Sequence, residues 1–139
     1  MPGTIRPRKA GATTRIGRGG PAEVTSATGG RIAIISHASE AGFSPLDLLH
    51  AALSACLAVS ARIAAGELGL IDRFAGATVG VAGEKAGEGP DRIAVFRLTI
   101  AIEGTLDAHE RAVIASRAEQ LCTVSNTLKG APSILVAHP

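Results

Sequence analysis

"SPLDLLHAALSACLAVSA", residues 44–61, decides how this 139-residue chain folds. Its opening carries helix-start chemistry. Ser44 has a side chain suited to cap an N-terminus, Pro45 fits the first helical position, and Asp47 stands three residues after Ser44, where a capping-box acid belongs. The apolar pattern then runs almost all round the helix to about residue 65, and Gly66 and Gly69 end it. A helix apolar on every side is expected to be covered on several sides. A single thiol, Cys56, lies near its middle. The run is interrupted by His50, Ser54, Ser60 and Arg62, so a buried helix is expected rather than a membrane span.

Outward from this helix the pattern changes to strands. Before it, "AEVTS" (22–26) and "RIAIISH" (31–37) flank a turn-rich "ATGG", as in a hairpin, and a further strand fits residues 12–16. Gly17, Gly19 and Gly20 mark the turn between them. After it, "ATVGVAG" (77–83) and "RIAVFRLTIAIEG" (92–104) flank the charged, turn-rich "EKAGEGPD", which predicts a long antiparallel hairpin. The apolar alternation of its second arm changes phase near Phe96–Arg97, where a bulge is expected. A second helix is expected over 108–122, with Asp107 and Glu110 as a capping pair. "SILVAH" (133–138) predicts a last strand. The order β-β-α-β-β-α-β, with hairpins segregated from helices, is α+β in a single domain spanning 1–139.

Composition narrows the function classes. Apolar residues make up 46% of the chain, enough for a real core, and with no Trp, no Tyr and only three Phe it must be built from Ala, Val, Leu and Ile. Side chains this small favour close approach of elements and a core shared between subunits. The net charge of +2 does not argue for nucleic acid across the surface. Arg6, Arg8, Lys9, Arg15 and Arg18 do precede the first acid, Glu23, so residues 1–10 are expected to form a flexible basic arm. No aromatic residue interleaves with these charges to stack on bases. No apolar segment of the secretory kind follows the early basic residues, and a cytoplasmic location with reduced thiols is the expectation.

Cys56 and Cys122 are the only thiols, 66 positions apart, so there is no C-x-x-C motif, and with four scattered histidines no zinc set is expected by spacing. Cysteine is among the most buried residue types, and Cys56 sits among alanines and leucines, which fits inert packing. Each thiol nevertheless lies on or at the end of an expected helix. If those helices pack together the sulfurs meet, and a stabilised thiolate would then be reactive. The residues alone leave packing and reactivity both open.

Two motifs resemble one family. "FSPLDLLHAALSACLAVSARIA" (43–64) resembles the cysteine-helix signature of the osmotically inducible protein C and organic hydroperoxide resistance (OsmC/Ohr) family: a Pro, an acid–leucine pair, small residues, then the cysteine. "AEQLCTVSNTLKGAPSI" (118–134) resembles the family's second cysteine motif, with Cys122, Ser125 and Gly130 in place and Thr123 where the family has proline. The resemblance spans roughly residues 18–134. It implies an intertwined homodimer that reduces organic hydroperoxides with a thiolate and needs no metal or organic cofactor. Cys56 would be the attacking thiol and Cys122 the resolving thiol. Arg18, in the glycine-flanked turn "GRGGPAEVTSATGGRIAI" (17–34), would be the activating cation, with Arg15 as the alternative. A dithiol, either a small molecule or a lipoyl-type protein, would restore the pair. Leu46, Leu49 and Leu53 would line an apolar substrate site. His50 and Ser125 are supporting candidates.

The chain departs from the hydroperoxide-resistance pattern at Leu46, where that branch has a glutamate. The acid here is Asp47, one position on and rotated by about 100°, so it is expected to cap the helix. This departure leaves a second expectation: a slow redox sensor or ligand-binding dimer that keeps the fold and the thiols. A purely structural dimer with two buried thiols is the third.

Overall fold

The computed structural model describes residues 9–139, so most of the basic arm, including Arg6 and Arg8, lies outside the described residues. The chain divides into two compact units, Met1–Leu48 and Leu49–Pro139.

In the first unit, β1 (Ala12–Arg15), β2 (Glu23–Ser26) and β3 (Arg31–Ala33) form an antiparallel sheet in the order β1-β2-β3. Thr13, Thr14, Val24, Thr25 and Ile32 supply the β-branched side chains that favour a pleated ribbon. The β2–β3 turn closes on Ser26, whose Oγ accepts from the Gly30 N–H at 2.9 Å. The strand expected over 31–37 is shorter than its apolar pattern. After Ala33 only an isolated bridge from Ile34 to Phe43 continues the pairing.

α1 (Pro45–Glu67) starts where its signals stand. The Ser44 N–H donates to Asp47 Oδ2 at 2.9 Å, and the Asp47 N–H donates to Ser44 Oγ at 3.1 Å. These bonds satisfy donors that the first turn leaves without helical partners. Beyond Leu48 the helix buries one stripe: Leu53, Leu57, Ser60, Ala61, Ala64 and Ala65. Val59 and Ile63, on other faces, remain about half exposed. By length and composition α1 would also suit a membrane crossing, with mean hydropathy 1.6 over its most apolar window. Its stripe instead packs against the hairpin and helices that follow.

That hairpin is β4 (Phe74–Lys85) and β5 (Ile93–Gly104), antiparallel along its length. The bulge expected at Phe96–Arg97 lies earlier. Glu84 pairs with Val95 and Lys85 with Ile93, leaving Ala94 as the extra residue. One inserted residue turns Ile93 to the face of Phe96, Leu98, Ile100 and Ile102, which produces the phase change in the sequence. The core divides in two. Ala61, Ala64 and Ala65 meet Ile102, Leu106, Ile114 and Ala118, while Leu53 and Leu57 meet Cys122, with Ile100 packed against both groups. Alanines on both helices permit this close approach.

α2 (Ala108–Leu121) opens with the expected capping box of Asp107 and Glu110. Glu110 also holds Arg73 through two hydrogen bonds of 2.9 and 2.6 Å, tying the start of α2 to the short 3-10 turn Ile71–Arg73 before β4. A third helix, α3 (Thr123–Gly130), follows at once; the sequence pattern did not predict it. The strand expected over 133–138 does not form. Residues 131–139 have no regular structure, and Ile134 and Leu135 are about nine-tenths exposed. Their pattern suits a strand, but a strand exists only when a second one completes its ladder.

Candidate functional site

Cys56 lies in the middle of α1 and Cys122 at the junction of α2 and α3. Leu53 and Leu57 pack against Cys122, and Cys56 packs against the same cluster, so the two thiols share one part of the core. Both are reduced; Cys122 is fully buried and Cys56 half-buried.

The first turn of α3 shapes the chemistry. Cys122 is its N-cap, and its Sγ accepts from the Ser125 N–H at 3.4 Å. Burial pushes the Cys56 thiol up, but hydrogen bonds from the Val124 N–H, the Cys122 thiol, the Thr123 N–H and the Ser60 hydroxyl outweigh it. The net direction is below the ordinary thiol range. Burial also pushes Cys122 up; the Ser125 N–H opposes this, whereas the charge on Cys56 reinforces it, and the result is above the ordinary range. The pair therefore ionises asymmetrically, with the thiolate on Cys56. Thiolate fraction grows as pH rises through a group's pKa. Alkylation of the reduced protein, followed by peptide mass spectrometry across pH, is accordingly expected to modify Cys56 first and Cys122 only at more alkaline pH. Modification in the reverse order would contradict this polarity.

Ser125 contributes its hydroxyl as well as its amide. Its Oγ donates to Glu119 Oε1 at 2.8 Å, and Lys129 reaches the same carboxylate. The Lys129 ammonium, then the Ser125 hydroxyl, hold Glu119 below the usual carboxylate range. These bonds clamp α3 to α2 and fix the first turn on the sulfurs.

The other expected residues are distributed more widely. Leu53 is in the core beside the thiols, Leu49 is half-buried, and Leu46 is exposed. His50 stands six residues before Cys56 on α1, edge-on to Phe96 with ring centroids 5.7 Å apart. Its Nε2 is buried without a hydrogen-bond partner. A Cβ on Gly83 would lie 2.5 Å from that nitrogen, so the glycine leaves room for the ring. Asp47 is engaged in the α1 capping box. In the first unit, Arg18 occupies the bend between β1 and β2, and Arg15 ends β1 opposite Glu23; both are exposed. Among the described residues, no three His, Cys, Asp or Glu side chains gather as a metal set.

Sequence reasoning missed Ser60, the amides of Thr123 and Val124, and Glu119. Ser60 was findable, because residues four apart share a helix face. The amides were not, because they belong to a helix whose N-cap is a cysteine rather than one of the usual Ser, Thr, Asp or Asn.

Comparison with known proteins gives this arrangement a context. The family model described as OsmC-like protein matches residues 37–136. No curated protein matches the chain. Among solved structures, an OsmC-like protein from Mycoplasma pneumoniae is 19% identical with TM-score 0.75, over 88% of this chain and 89% of that one. The organic hydroperoxide resistance protein OhrB of Bacillus subtilis is 20% identical with TM-score 0.63, over 87% and 90%. An organic hydroperoxide resistance protein from Elizabethkingia anophelis is 20% identical with TM-score 0.65, over 91% and 92%. At such identities the structural likeness speaks for the fold. With the family model spanning most of the chain, including both cysteines, this α+β protein belongs to the OsmC-like family.

Proposed function

We propose that the chain is a thiol-dependent peroxidase for organic hydroperoxides. The observation that carries this reading is the pair of thiols packed in one core cluster, one held toward the thiolate and the other toward the thiol. Family membership and the organic hydroperoxide resistance proteins among its structural relatives support it. The Cys56 thiolate attacks the terminal peroxide oxygen and breaks the O–O bond. The alkoxide takes a proton from solvent and leaves as the alcohol, and Cys56 is left as a sulfenic acid. The Cys122 sulfur then displaces hydroxide from Cys56, releasing water and forming a Cys56–Cys122 disulfide. A dithiol, either a small molecule or a lipoyl-type protein, returns both thiols by exchange and is itself oxidised.

In this reading Arg18 is the activating cation, supplied across the interface of an intertwined homodimer, with Arg15 as the alternative. Apolar surface left uncovered on the single chain, at Leu46, Val59, Ile63, Ile134 and Leu135, supports a second subunit. Covering it would bury α1 on further sides and make it the central helix. Leu46, Leu49 and Leu53 would favour alkyl peroxides, since each buried methylene gains about 0.8 kcal/mol on leaving water. The protein would act in the cytoplasm, without nucleic acid or membrane as partner.

One equivalent of cumene hydroperoxide is expected to remove two hydrogens from reduced wild type within seconds, seen by mass spectrometry. Steady-state turnover with a dithiol should be faster with cumene hydroperoxide than with hydrogen peroxide; equal rates would remove the assigned substrate preference. A second reading, a slow redox sensor or ligand-binding dimer, draws on Leu46 and on the capping role of Asp47. Oxidation over many minutes without turnover would favour it.

A further inference from the structure

One residue separates α2 from α3. Cys122 is the C-cap of the first and the N-cap of the second, extended at φ −69° and ψ 107°. The chain therefore turns at the sulfur-bearing residue itself, and whatever fixes the turn also fixes where Sγ points. Side chains bridge this corner. Ser125, three residues after Cys122, donates its amide to Sγ at 3.4 Å and its hydroxyl to Glu119 Oε1 at 2.8 Å. Glu119 stands three residues before Cys122, and Lys129, in the last turn of α3, reaches the same carboxylate oxygen. Asn126 Nδ2 donates to the Gln120 carbonyl at 3.0 Å. Ser125 is only 5% exposed, so its hydroxyl has to find an acceptor inside the protein, and Glu119 supplies it.

We propose that Glu119 is a positioning residue for disulfide closure: through the Ser125 hydroxyl it keeps the Cys122 sulfur aimed into the core cluster that Cys56 shares. Leu53, Leu57 and Cys122 form that cluster, and Cys56 packs against it. A disulfide accepts few geometries, with its sulfurs about 2 Å apart. A corner set in advance raises the effective concentration of one sulfur at the other. Cys56 stands on α1, outside the corner, so the carboxylate bears on closure more than on the first attack. The inference rests on Cys122 being the resolving thiol, but closure is measurable without peroxide.

One equivalent of dithiobis(nitrobenzoate), an aromatic disulfide, is the probe. The Cys56 thiolate attacks one of its sulfurs and expels a first nitrothiobenzoate anion, leaving a mixed disulfide. The Cys122 thiolate then attacks the Cys56 sulfur and expels the second, so the reagent gains the two electrons that the protein pair loses. Stopped-flow absorbance resolves the two releases. Glu119→Ala is expected to slow the second release about tenfold, the scale of losing one hydrogen bond to a charged group, and the first by less than about threefold. Glu119→Gln keeps an acceptor for the Ser125 hydroxyl and should stay within about threefold of wild type in both releases. Ser125→Ala removes the same bond from its other end. It should slow closure as Glu119→Ala does, the double variant should be no slower, and it answers the question alone should Glu119→Ala fail to fold. Closure at the wild-type rate or faster in these variants, or equal slowing of both releases, would overturn the proposal. A protein that shows the expected split yet consumes no cumene hydroperoxide would refute the peroxidase reading alone.

Discussion

Cys56→Ser is expected to lower peroxide consumption at least about a thousandfold, the scale on which removing a catalytic nucleophile acts. A serine hydroxyl in the same place does not ionise near neutral pH, so no thiolate is available to attack the peroxide. Cys122→Ser should behave differently. It keeps the attacking thiol, so a single equivalent of cumene hydroperoxide is still reduced, and the protein gains one oxygen on Cys56 that persists. Intact mass, followed by peptide mapping of that oxygen, reads both variants. Oxygen found on Cys122 in wild type, or a Cys56→Ser protein that still turns over, would sink the assignment. The asymmetry follows from the environment. Both sulfurs are pushed up by burial, but only Cys56 collects enough donors to reverse the direction.

Gly104→Ala should produce the largest loss of stability among single-methyl additions. Gly104 closes β5 with φ +140°, a backbone region that side chains strain to enter. A Cβ there would fall 2.1 Å from the Arg73 carbonyl oxygen and 2.9 Å from the Ala75 N–H nitrogen. That carbonyl is already fixed by the Thr105 N–H at 3.0 Å, and Arg73 is itself held by Glu110, so the backbone has little room to yield. Strain and displacement together are expected to remove about 3 kcal/mol or more, lowering the thermal midpoint by roughly 10 °C. Gly66→Ala is the control. Gly66 lies within α1 with nothing within 4 Å of an added Cβ, and alanine there should stabilise by about 0.5–1 kcal/mol. Equal midpoints for Gly104→Ala and wild type would refute this account of the corner.

The sequence was most legible where a signal acts on its own neighbours. Ser44 with Asp47 and Asp107 with Glu110 are three residues apart, and each pair makes the hydrogen bonds its spacing implies. It was less legible where an element depends on something distant. Ile134, Leu135 and Val136 have the composition of a strand, but among the described residues nothing completes a ladder with them. The hairpin's phase change was visible, and its origin was displaced only from Ala94 to Phe96, because alternation marks the altered face rather than the inserted residue. Contact between the thiols was conditional on two helices packing, and the alanines of α1 and α2 gave the reason that they do. What no pattern revealed was α3, since "TVSNTLKG" has a loop's composition and takes its cap from a sulfur.

That sulfur cap links oxidation state to backbone order. Cys122 Sγ serves the Ser125 N–H while it is a thiol. Drawing the same atom into a bond with Cys56 would redirect its lone pairs and leave the first turn of α3 to find another acceptor. The helix that holds the thiolate would then be loosened by the product of the thiolate's own reaction. Hydrogen exchange at the Ser125 amide would run faster in the oxidised protein than in the reduced one. Local fraying there would open the disulfide to an incoming dithiol, so the oxidised protein would be readied for repair by the same event that spent it.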